Sequence, residues 1–325
     1  MNAGKIITYF LLILCGLVMV IPFFWMLTTS VKSQLEVNKG NVGFSPVEEY
    51  DVYREDGKEY YITVVKEVGD SSYVHLFNEE MKMIRSYAKV ANQNIHHEKK
   101  FKLHWENFSN AFVKVPFGRY FLNTIFVSCS VVLGVMITGS LAAYAFATMK
   151  FKGQNFLFYL FISMMMVPQP VYLIPSYVLL NHLGWVDTYY ALIIPWIANI
   201  FTIFLLRQQF KTIPRDLFDA AEIDGCGRFR ILWKIVLPLS KSVISTAAIF
   251  GFIGSWNSFM WPLIMTDSPK LRVLQVGLSY FSQEASTQTS LLMAASTFSI
   301  LPLVVLFLIA QKQIIASFAS SGLKE

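Results

Sequence analysis

The stretch DLFDAAEIDGCGRFRILWKIVLPLSKS, residues 216–242, interrupts an apolar chain with a run of charged side chains. Its first part carries four carboxylates, and Gly225 and Gly227 separate that part from a basic second part. Glycine ends helices readily because it adopts left-handed backbone conformations. We therefore predict two helices joined by a tight turn. Asp216 is the expected N-cap of the first helix, and the second is expected to stop before Pro238.

Each of these two predicted helices has an apolar face. In the first, Leu217, Ala220 and Ala221 share a small face at helical spacing. In the second, the predicted apolar stripe consists of Phe229, Leu232, Trp233 and Val236. A basic amphipathic helix can lie on a lipid surface, but anionic lipid repels the acidic first half, which favours a protein partner for the tract.

The rest of the chain has the composition of a membrane protein. Hydrophobic residues make up 54% of its 325 residues, charged residues 15%, and the mean hydropathy is +0.48. Soluble domains contain about 25% charged residues. Six runs are long and apolar enough to cross a bilayer as helices, at residues 6–28, 121–147, 156–180, 189–206, 243–265 and 291–310. The first run is interpreted as a retained span, because no small-residue cleavage pattern follows it.

Basic residues set the predicted orientation. An even number of spans places both termini on one side, and the connection between the fourth and fifth spans holds seven basic residues on that side. The short loops of the opposite side hold only Lys270 and Arg272. Positive residues in short loops mark the cytoplasmic side. The sequence thus predicts a multi-pass protein of the bacterial plasma membrane with both termini and tract 207–242 in the cytoplasm.

The third run, FLFYLFISMMMVPQPVYLIPSYVLL, contains three prolines. Proline removes a backbone donor and crowds the preceding turn, so this helix should be kinked or broken. Such backbone survives in lipid only when it is buried in protein or lines a cavity. We therefore predict a translocation path near Gln169, with a kinked helix that never contacts substrate as the alternative.

The fifth run, VISTAAIFGFIGSWNSFMWPLIM, is expected to form one helix with small and polar residues at its middle. An amide within the membrane is costly unless it faces a partner or water. Trp256, Asn257 and Trp261 are therefore the other candidates for a polar path. Asn257 serving only as a hydrogen bond between helices is the alternative.

Residues 33–102 form a polar module between the first span and the other five, which belong to a core of residues 103–325. Alternating Tyr, Val, Ile and Thr residues around turns at Asp56-Gly57 and Gly69-Asp70 predict β-hairpins. The segment NEEMKMIRSYAKVANQNI is predicted to be a helix, because Met81, Ile84, Tyr87 and Ala88 lie near helical spacing. We expect a small extracytoplasmic β-plus-helix insertion, which is either a docking surface for an external partner or a stabilising embellishment.

No motif of an enzyme or a metal site occurs in the chain. The three cysteines and five histidines lack metal-ligand spacing, and no phosphate-binding glycine loop or hydrolase signature is present. The basic residues of the predicted cytoplasmic loops account for the net charge of +6, so this charge does not indicate binding to nucleic acid. We expect a transport subunit that is not an enzyme and binds no cofactor or metal.

The opening tract is similar to a known family. DAAEIDGCGRFRILWKIVLP resembles the EAA-x3-G signature of the membrane subunits of bacterial ATP-binding cassette importers, with Asp219, Ala220 and Ala221 in the EAA positions and Gly225 as the glycine. Further stretches resemble the carbohydrate-uptake branch, the maltose-type inner-membrane subunit: IPFFWMLTTSVK, WENFSNAFVKVPFGRYFLNT, VPQPVYLIPSYVLLNHLGWVDTYYALIIPW, IGSWNSFMWPLI and LRVLQVGLSYF.

This resemblance implies an all-α polytopic membrane protein with six transmembrane helices and the fold of a type I importer permease. It implies that the tract is a coupling helix in a groove of a cytoplasmic ATPase subunit, with contacts from Asp219, Ala220, Ala221, Asp224 and Gly225. The implied partners are a second homologous permease subunit, two ATPase subunits that use ATP and Mg²⁺, and an extracytoplasmic solute-binding protein. The loop at residues 266–289 is expected to reach that binding protein.

The chain departs from the family pattern at three places. Asp219 replaces the usual Glu, and Ser242 stands where a proline is often found. A typical member also has a short first outer loop, so the resemblance does not explain the module at residues 33–102.

A membrane-anchored sensor whose outer module binds a ligand is disfavoured by the EAA-like tract, and two other functions of different classes compete for the whole chain. The first is the translocation subunit of an importer for a sugar or oligosaccharide, with a non-carbohydrate solute as a variant. The second is an ion-driven secondary transporter, which calls for ionisable side chains within the membrane. The six predicted spans contain no such side chain.

Overall fold

A computed structural model describes residues 3–38, 43–55, 58–77, 83–283 and 288–322 of the chain. The helices are α1 Ala3–Ser30, α2 Gln34–Asn38, α3 Glu106–Lys114, α4 Phe117–Thr148, α5 Gln154–Met164, α6 Gln169–His182, α7 Tyr189–Ile193, α8 Ile200–Phe210, α9 Arg215–Ile223, α10 Arg228–Ile231, α11 Leu237–Leu239, α12 Lys241–Trp256, α13 Met260–Met265, α14 Leu274–Gln283 and α15 Thr289–Gly322. The strands are β1 Val47–Glu55, β2 Lys58–Val68, β3 Ser71–Phe77, β4 Met83–Ala91 and β5 Ile95–Phe101.

Two compact units make up the chain. The sheet unit comprises Met1–Lys114 and Tyr280–Phe298, and the helical unit comprises Val115–Ser279 and Ser299–Glu325.

Several helices are long and apolar enough to cross a membrane. Four helices meet this criterion without a sharp bend: Gly4–Ser30, Phe117–Thr148, Tyr189–Phe210 and Thr289–Lys312. Two bent pairs qualify only when each pair is counted as one span: α5 with α6, bent by 100°, and Arg228–Leu239 with α12, bent by 85°. Length and composition thus allow four to six spans within the described residues.

The break predicted in the third run is confirmed. Helix α5 ends at Met164 and α6 begins at Gln169, directly after Pro168. The extended backbone of Pro168 cannot continue a helix. Pro175 lies inside α6 without ending it.

The single helix expected over residues 243–265 is wrong. Helix α12 ends at Trp256, with Asn257 as its C-cap, and α13 begins only at Met260. Serine and asparagine offer the backbone local hydrogen bonds that compete with the helix, and both types cluster at this break. The fourth run is also interrupted, because a 3-10 turn, Ile194–Trp196, separates α7 from α8.

Helix α4 is the centre of the helical unit and packs against α8 and α12. Gly134 permits the backbone before α8 to come close, because a Cβ at this position would lie 2.4 Å from the Ile197 side chain. Thr138 Oγ1 shares its one proton between the carbonyls of Gly134 and Ile197. The Ile197 carbonyl lies in the irregular segment before α8, and the Thr138 side chain of α4 therefore supplies a hydrogen bond to it.

The module contains an antiparallel sheet with strand order β4-β3-β2-β1-β5. Its core is formed by Tyr53, Ile62, Val74, Leu76, Ala88 and Val90. These residues come from four strands and belong to one cluster that includes no helical residue. Among the described residues, the core of the sheet is therefore formed by side chains of the sheet itself.

The helix predicted over residues 78–95 is wrong for its described part. Residues 83–91 form β4, which pairs with β3, and Met81 lies outside the described residues. Ala88 and Val90 point into the core at strand spacing, while Ile84 and Tyr87 are exposed. Pairing with a neighbouring strand overrides the local helical pattern here. In the described part of residues 78–95, the module therefore has a strand where a helix was predicted.

Of the two predicted turns, the one at Gly69-Asp70 is confirmed. Gly69 has a φ of +59° and connects β2 to β3. The Asp56-Gly57 turn lies outside the described residues.

Buried polar groups surround the base of the sheet. Lys32 is only 1% exposed and forms an ion pair with Glu36 at 3.4 Å. His104 lies between two carboxylates, with Nε2 2.9 Å from Glu48 and Nδ1 2.5 Å from Glu106. The side-chain amide of Asn107 donates to the carbonyls of Ser30 and Lys32. Polar contacts of residues 104–107 therefore connect the start of β1, through Glu48, to the end of α1, through the Ser30 carbonyl.

Candidate functional site

A cavity of about 390 Å³ lies in the helical unit where the three helix breaks meet. Gln169 begins α6, Asn199 precedes α8 and Asn257 follows α12, and all three residues line the cavity. Irregular backbone at membrane depth is tolerated where it lines a cavity or is buried in protein. The breaks are therefore features of one site.

The lining of this cavity is uncharged and combines polar side chains with aromatic and aliphatic ones. Its polar members are Thr124, Ser128, Gln169, Asn199, Thr202, Ser255, Asn257 and Ser258, and its aromatic members are Trp196, Phe201, Phe250, Phe259 and Trp261. No Asp, Glu, Lys, Arg or His belongs to the lining that the described residues form. Amides and hydroxyls both donate and accept hydrogen bonds, and aromatic faces pack against apolar surfaces. Such a lining suits an uncharged solute that carries hydroxyl groups.

Three of the four predicted path residues, Gln169, Asn257 and Trp261, lie at this cavity. Trp261 is held rigidly, because its Nε1 donates to the Ala191 carbonyl at 2.9 Å and its ring meets Trp196 edge to face at 5.1 Å. The side-chain oxygen of Asn257 accepts a hydrogen bond from the side-chain amide of Gln275 at 3.3 Å, so one hydrogen-bonding group of Asn257 already has a partner in the protein.

The placement predicted for Trp256 is wrong. Its side chain is fully buried and does not line the cavity. Its ring packs against Phe121 and Phe252, and Nε1 donates to the Ser299 carbonyl at 3.2 Å. Trp256 lies one residue before the helix break, on the packed side of α12. Its role is to hold α12 in place.

Trp196 and Asn199 were missed by the sequence reasoning. Asn199 is the N-cap of α8 and accepts a hydrogen bond from the Thr202 amide at 2.9 Å. Pro195 and Asn199 in the fourth run, IIPWIAN, are the signal that could have found this break.

In the tract at residues 207–242, α8 ends at Phe210 and α9 begins directly after Pro214. Asp216 lies in the first turn and is not the N-cap, which corrects the predicted boundary. The proline at the N-cap position starts the helix earlier than expected. A carboxylate in the first turn still interacts favourably with the helix dipole.

The glycine turn predicted after this helix is confirmed. Gly225 has a φ of +73°. Its amide donates to Glu222 O at 3.0 Å, and the amide of Cys226 donates to Ala221 O at 2.9 Å. This pair of bonds is a Schellman motif, which requires a residue with left-handed backbone at its centre.

The predicted contact set of α9 divides into two kinds of residue. Asp219, Ala220, Asp224 and Gly225 are exposed. Ala221 is 5% exposed and packs in a cluster that contains Ile213 and Leu232. Ala221 therefore holds α9 against the rest of the helical unit and leaves the other four residues at the surface.

The second helix of the tract differs from its prediction in two ways. Helix α10 continues through a π-helical turn, Leu232–Val236, into α11, and so passes Pro238. A π-helical turn shifts the hydrogen-bond register and tolerates a missing donor. The predicted stripe is also divided, because Leu232 and Val236 are buried whereas Phe229 and Trp233 are exposed.

Comparison with known proteins identifies the family. Residues 134–319 match the model of the binding-protein-dependent transport system inner membrane component. The arabinooligosaccharides transport system permease protein AraQ of Halalkalibacterium halodurans is 34% identical over 220 residues, which are 67% of this chain and 79% of the relative. The sn-glycerol-3-phosphate transport system permease protein UgpE of Yersinia pestis is 31% identical over 225 residues, 67% of this chain and 80% of the relative.

The chain belongs to this family of inner membrane components. It is therefore a multi-pass membrane protein and a transport subunit of an ATP-binding cassette importer that works with a binding protein.

Solved structures place this inner membrane component in the type I importer permease fold. A chain in the crystal structure of a bacterial ABC transporter involved in the import of the acidic polysaccharide alginate has a TM-score of 0.66 and 18% identity, with 95% of each chain covered. A chain of the alginate transporter in complex with a pentasaccharide-bound periplasmic protein has a TM-score of 0.53 and 17% identity, with 63% of this chain and 81% of that chain covered.

In this inner membrane component, two further residues hold the segment that follows α13. Asp187, with a φ of +57°, accepts hydrogen bonds from the amides of Asp267 and Ser268 at 3.1 and 3.0 Å. Asn123 donates to the carbonyls of Lys270 and Arg272 at 2.8 and 2.9 Å. These bonds set the position of residues 267–272 within the helical unit.

Proposed function

We propose that the chain forms half of the translocation path of an importer for an uncharged sugar or oligosaccharide. The uncharged, amide- and tryptophan-lined cavity at the three helix breaks carries this proposal. The AraQ relative is named for arabinooligosaccharides, which are neutral. A charged solute would favour a cationic or anionic side chain on the path, because burying an unpaired charge is costly.

The ion-driven alternative finds no support at this cavity, whose described lining has no ionisable group. Arg207 is a buried charge elsewhere in the helical unit. Its Nε donates to the Phe146 carbonyl at 3.1 Å, and the guanidinium stacks 3.7 Å from the Phe158 ring. These contacts satisfy the charge at the end of α4 and make Arg207 a packing residue rather than an ion-coupling site.

The energy for transport enters, in this proposal, through α9. Its exposed residues Asp219, Ala220, Asp224 and Gly225 contact a separate cytoplasmic ATPase subunit, and Ala221 transmits the movement to the cluster behind it. ATP and Mg²⁺ are used by two such subunits, and this chain has no ATP site of its own. A second homologous permease subunit supplies the other half of the path.

The proposed topology has six spans with both termini in the cytoplasm. The bent pair α5 and α6 counts as one span, and α12 with α13, over the predicted run 243–265, counts as another. The sheet, residues 47–101, lies on the extracytoplasmic side. There the sheet contacts the solute-binding protein or the sister permease subunit. The AraQ match covers a smaller share of this chain than of the relative, which is consistent with an insertion here.

The topology is tested by labelling with a maleimide that does not cross membranes. In a variant whose three cysteines are changed to serine, Ile223→Cys on α9 and Lys66→Cys on β2 provide exposed reporters on the two predicted sides. Intact cells should label only Lys66→Cys, and inverted vesicles only Ile223→Cys. Labelling of both positions from the same side would refute the arrangement.

The substrate class is tested with the purified complex and its binding protein in proteoliposomes. Neutral oligosaccharides, beginning with arabinooligosaccharides, should stimulate ATP hydrolysis and enter the vesicles. Glycerol 3-phosphate and alginate oligosaccharides serve as charged comparisons. If only a charged solute stimulated ATP hydrolysis, the inference from the uncharged cavity lining to a neutral substrate would be wrong.

A further inference from the structure

The second half of the tract, Arg228–Leu239, is oriented almost perpendicular to α12. The two segments are bent by 85° relative to each other at Ser240. A helix at this angle to a membrane-crossing helix lies along the membrane surface. The following inference rests on the proposed crossing of α12, and what it says of α9 rests on the proposed contact of α9 with the ATPase subunit.

One face of Arg228–Leu239 is covered by protein and the next face is not. Ile231, Leu232 and Val236 are buried in the cluster with the ends of α4 and α8. Phe229 and Trp233, one helical turn apart, are 71% and 59% exposed. Exposed aromatic residues at a membrane boundary are typical of helices that lie in the head-group region.

The charge of this segment complements an anionic surface. Arg228, Arg230 and Lys234 are exposed, and no Asp or Glu occurs from residue 225 to residue 266. Within the described part of the chain, none of these three side chains forms an ion pair. Basic residues next to a membrane attract anionic lipid head groups. The acidic α9 is repelled by the same surface.

We propose that Arg228–Leu239 is an interfacial helix that binds the head groups of anionic phospholipids, with Phe229 and Trp233 inserted between the lipids. The tract then has two partners, because α9 contacts protein and the second helix contacts lipid. The Schellman turn at Gly225 connects the two halves tightly. Lipid binding therefore gives α9 a fixed base at the membrane surface.

The test uses the complete transporter in vesicles that contain phosphatidylcholine and phosphatidylglycerol. Two vesicle preparations are compared: in one the phosphatidylglycerol carries bromine on its acyl chains, and in the other the phosphatidylcholine does. Bromine quenches tryptophan on contact, and subtracting the signal of Trp233→Phe isolates Trp233. Quenching should be stronger when phosphatidylglycerol carries the bromine. Arg230→Gln with Lys234→Gln should lower this preference by about tenfold or more.

The matched control removes two charges from the sheet, with Lys66→Gln and Lys89→Gln, and should keep the preference. Equal quenching by the two lipids would overturn the proposal, since it shows contact without selection for anionic lipid. Absence of quenching by either lipid would also overturn it, since protein would then cover Trp233. The wild-type comparison remains decisive if a variant does not assemble.

The labelling and quenching experiments distinguish failure of the proposed topology from failure of the proposed lipid site. Labelling of Ile223→Cys from outside the cell would remove the cytoplasmic assignment of the tract. Cytoplasmic labelling combined with equal quenching would instead leave the topology intact and reject only the lipid site.

Discussion

The sheet and the helical unit differ in whether their large apolar side chains are buried or exposed. In the sheet, Val74 and Val90 point into a closed core and charged pairs such as Arg54 with Glu98 lie at the surface. In the helical unit, large apolar residues such as Leu122 and Phe156 are exposed, while Asn257 and Gln169 line an internal cavity.

This difference shows that each part is built for its own solvent. The sheet follows the rule for water, in which apolar area is buried and charge is solvated. The helical unit follows the rule for lipid, in which backbone and polar groups must be satisfied inside the protein. The following changes separate what each part contributes, from the largest expected effect to the smallest.

Gly225→Pro should abolish uptake while the chain still inserts into the membrane. Proline cannot adopt a φ of +73° and lacks the amide that bonds to Glu222, so the Schellman turn is lost at a cost of roughly 3 kcal/mol or more. Uptake and co-purification of the ATPase subunits are the measurements. Gly227→Ala is the control, because Gly227 has an ordinary φ of −69° and room for a Cβ. Normal uptake by Gly225→Pro would disprove the coupling role.

Gly254→Leu should reduce uptake by about tenfold, which corresponds to about 1.4 kcal/mol, because the leucine side chain occupies space in the cavity that the solute needs. Gly254 lines the cavity, and no atom lies within 4 Å of a Cβ at this position, so the side chain has room to begin there. Gly118→Leu on α4 has equal room but lies outside the cavity lining. Equal transport by both variants would contradict the assignment of the cavity to the path.

Removing residues 47–101 should weaken binding of the solute-binding protein by about tenfold, which corresponds to about 1.4 kcal/mol. The excision is geometrically simple, because the amide of Lys102 donates to the Pro46 carbonyl at 3.2 Å. Since the coupling tract is untouched, co-purification of the ATPase subunits should persist. Unchanged affinity for the binding protein, measured with the purified complex, would leave contact with the sister subunit as the role of the sheet.

The smallest expected effect is a pH dependence at the base of the sheet. A hydrogen bond from its own backbone amide, together with His104, lowers the pKa of Glu106. The charged form therefore stabilises the fold above the ordinary glutamate pKa of about 4.3, and this contribution is lost as the pH falls through the lowered pKa. Hydrogen exchange around His104, corrected for the intrinsic rate, should increase over this range.

Glu106→Gln should remove this part of the pH dependence, because glutamine does not titrate. Glu55→Gln, on an exposed position of β1, is the control. An identical exchange profile for the wild type and Glu106→Gln would show that this carboxylate does not contribute.

Much of the helical unit was predictable, since apolar length and proline positions are local signals. The break before Gln169 follows from Pro168 alone, and the turn at Gly225 follows from a glycine after a helical pattern. The end of α12 at Trp256 was not predictable from hydropathy, because the run continues with apolar residues to Met265. The polar groups that interrupt the helix there are few, and their effect depends on the neighbouring helices.

The sequence by itself determined that the chain crosses a membrane, that it carries an EAA-like tract, and that a polar module separates the first helix from the others. These properties depend on composition and on spacings of a few residues. Tertiary structure decided that β4 is a strand, that Trp256 is packed away from the cavity, and that Ala221 is buried while Phe229 is exposed. Each of these outcomes depends on which distant segment covers the residue, and a local pattern contains no information about that segment.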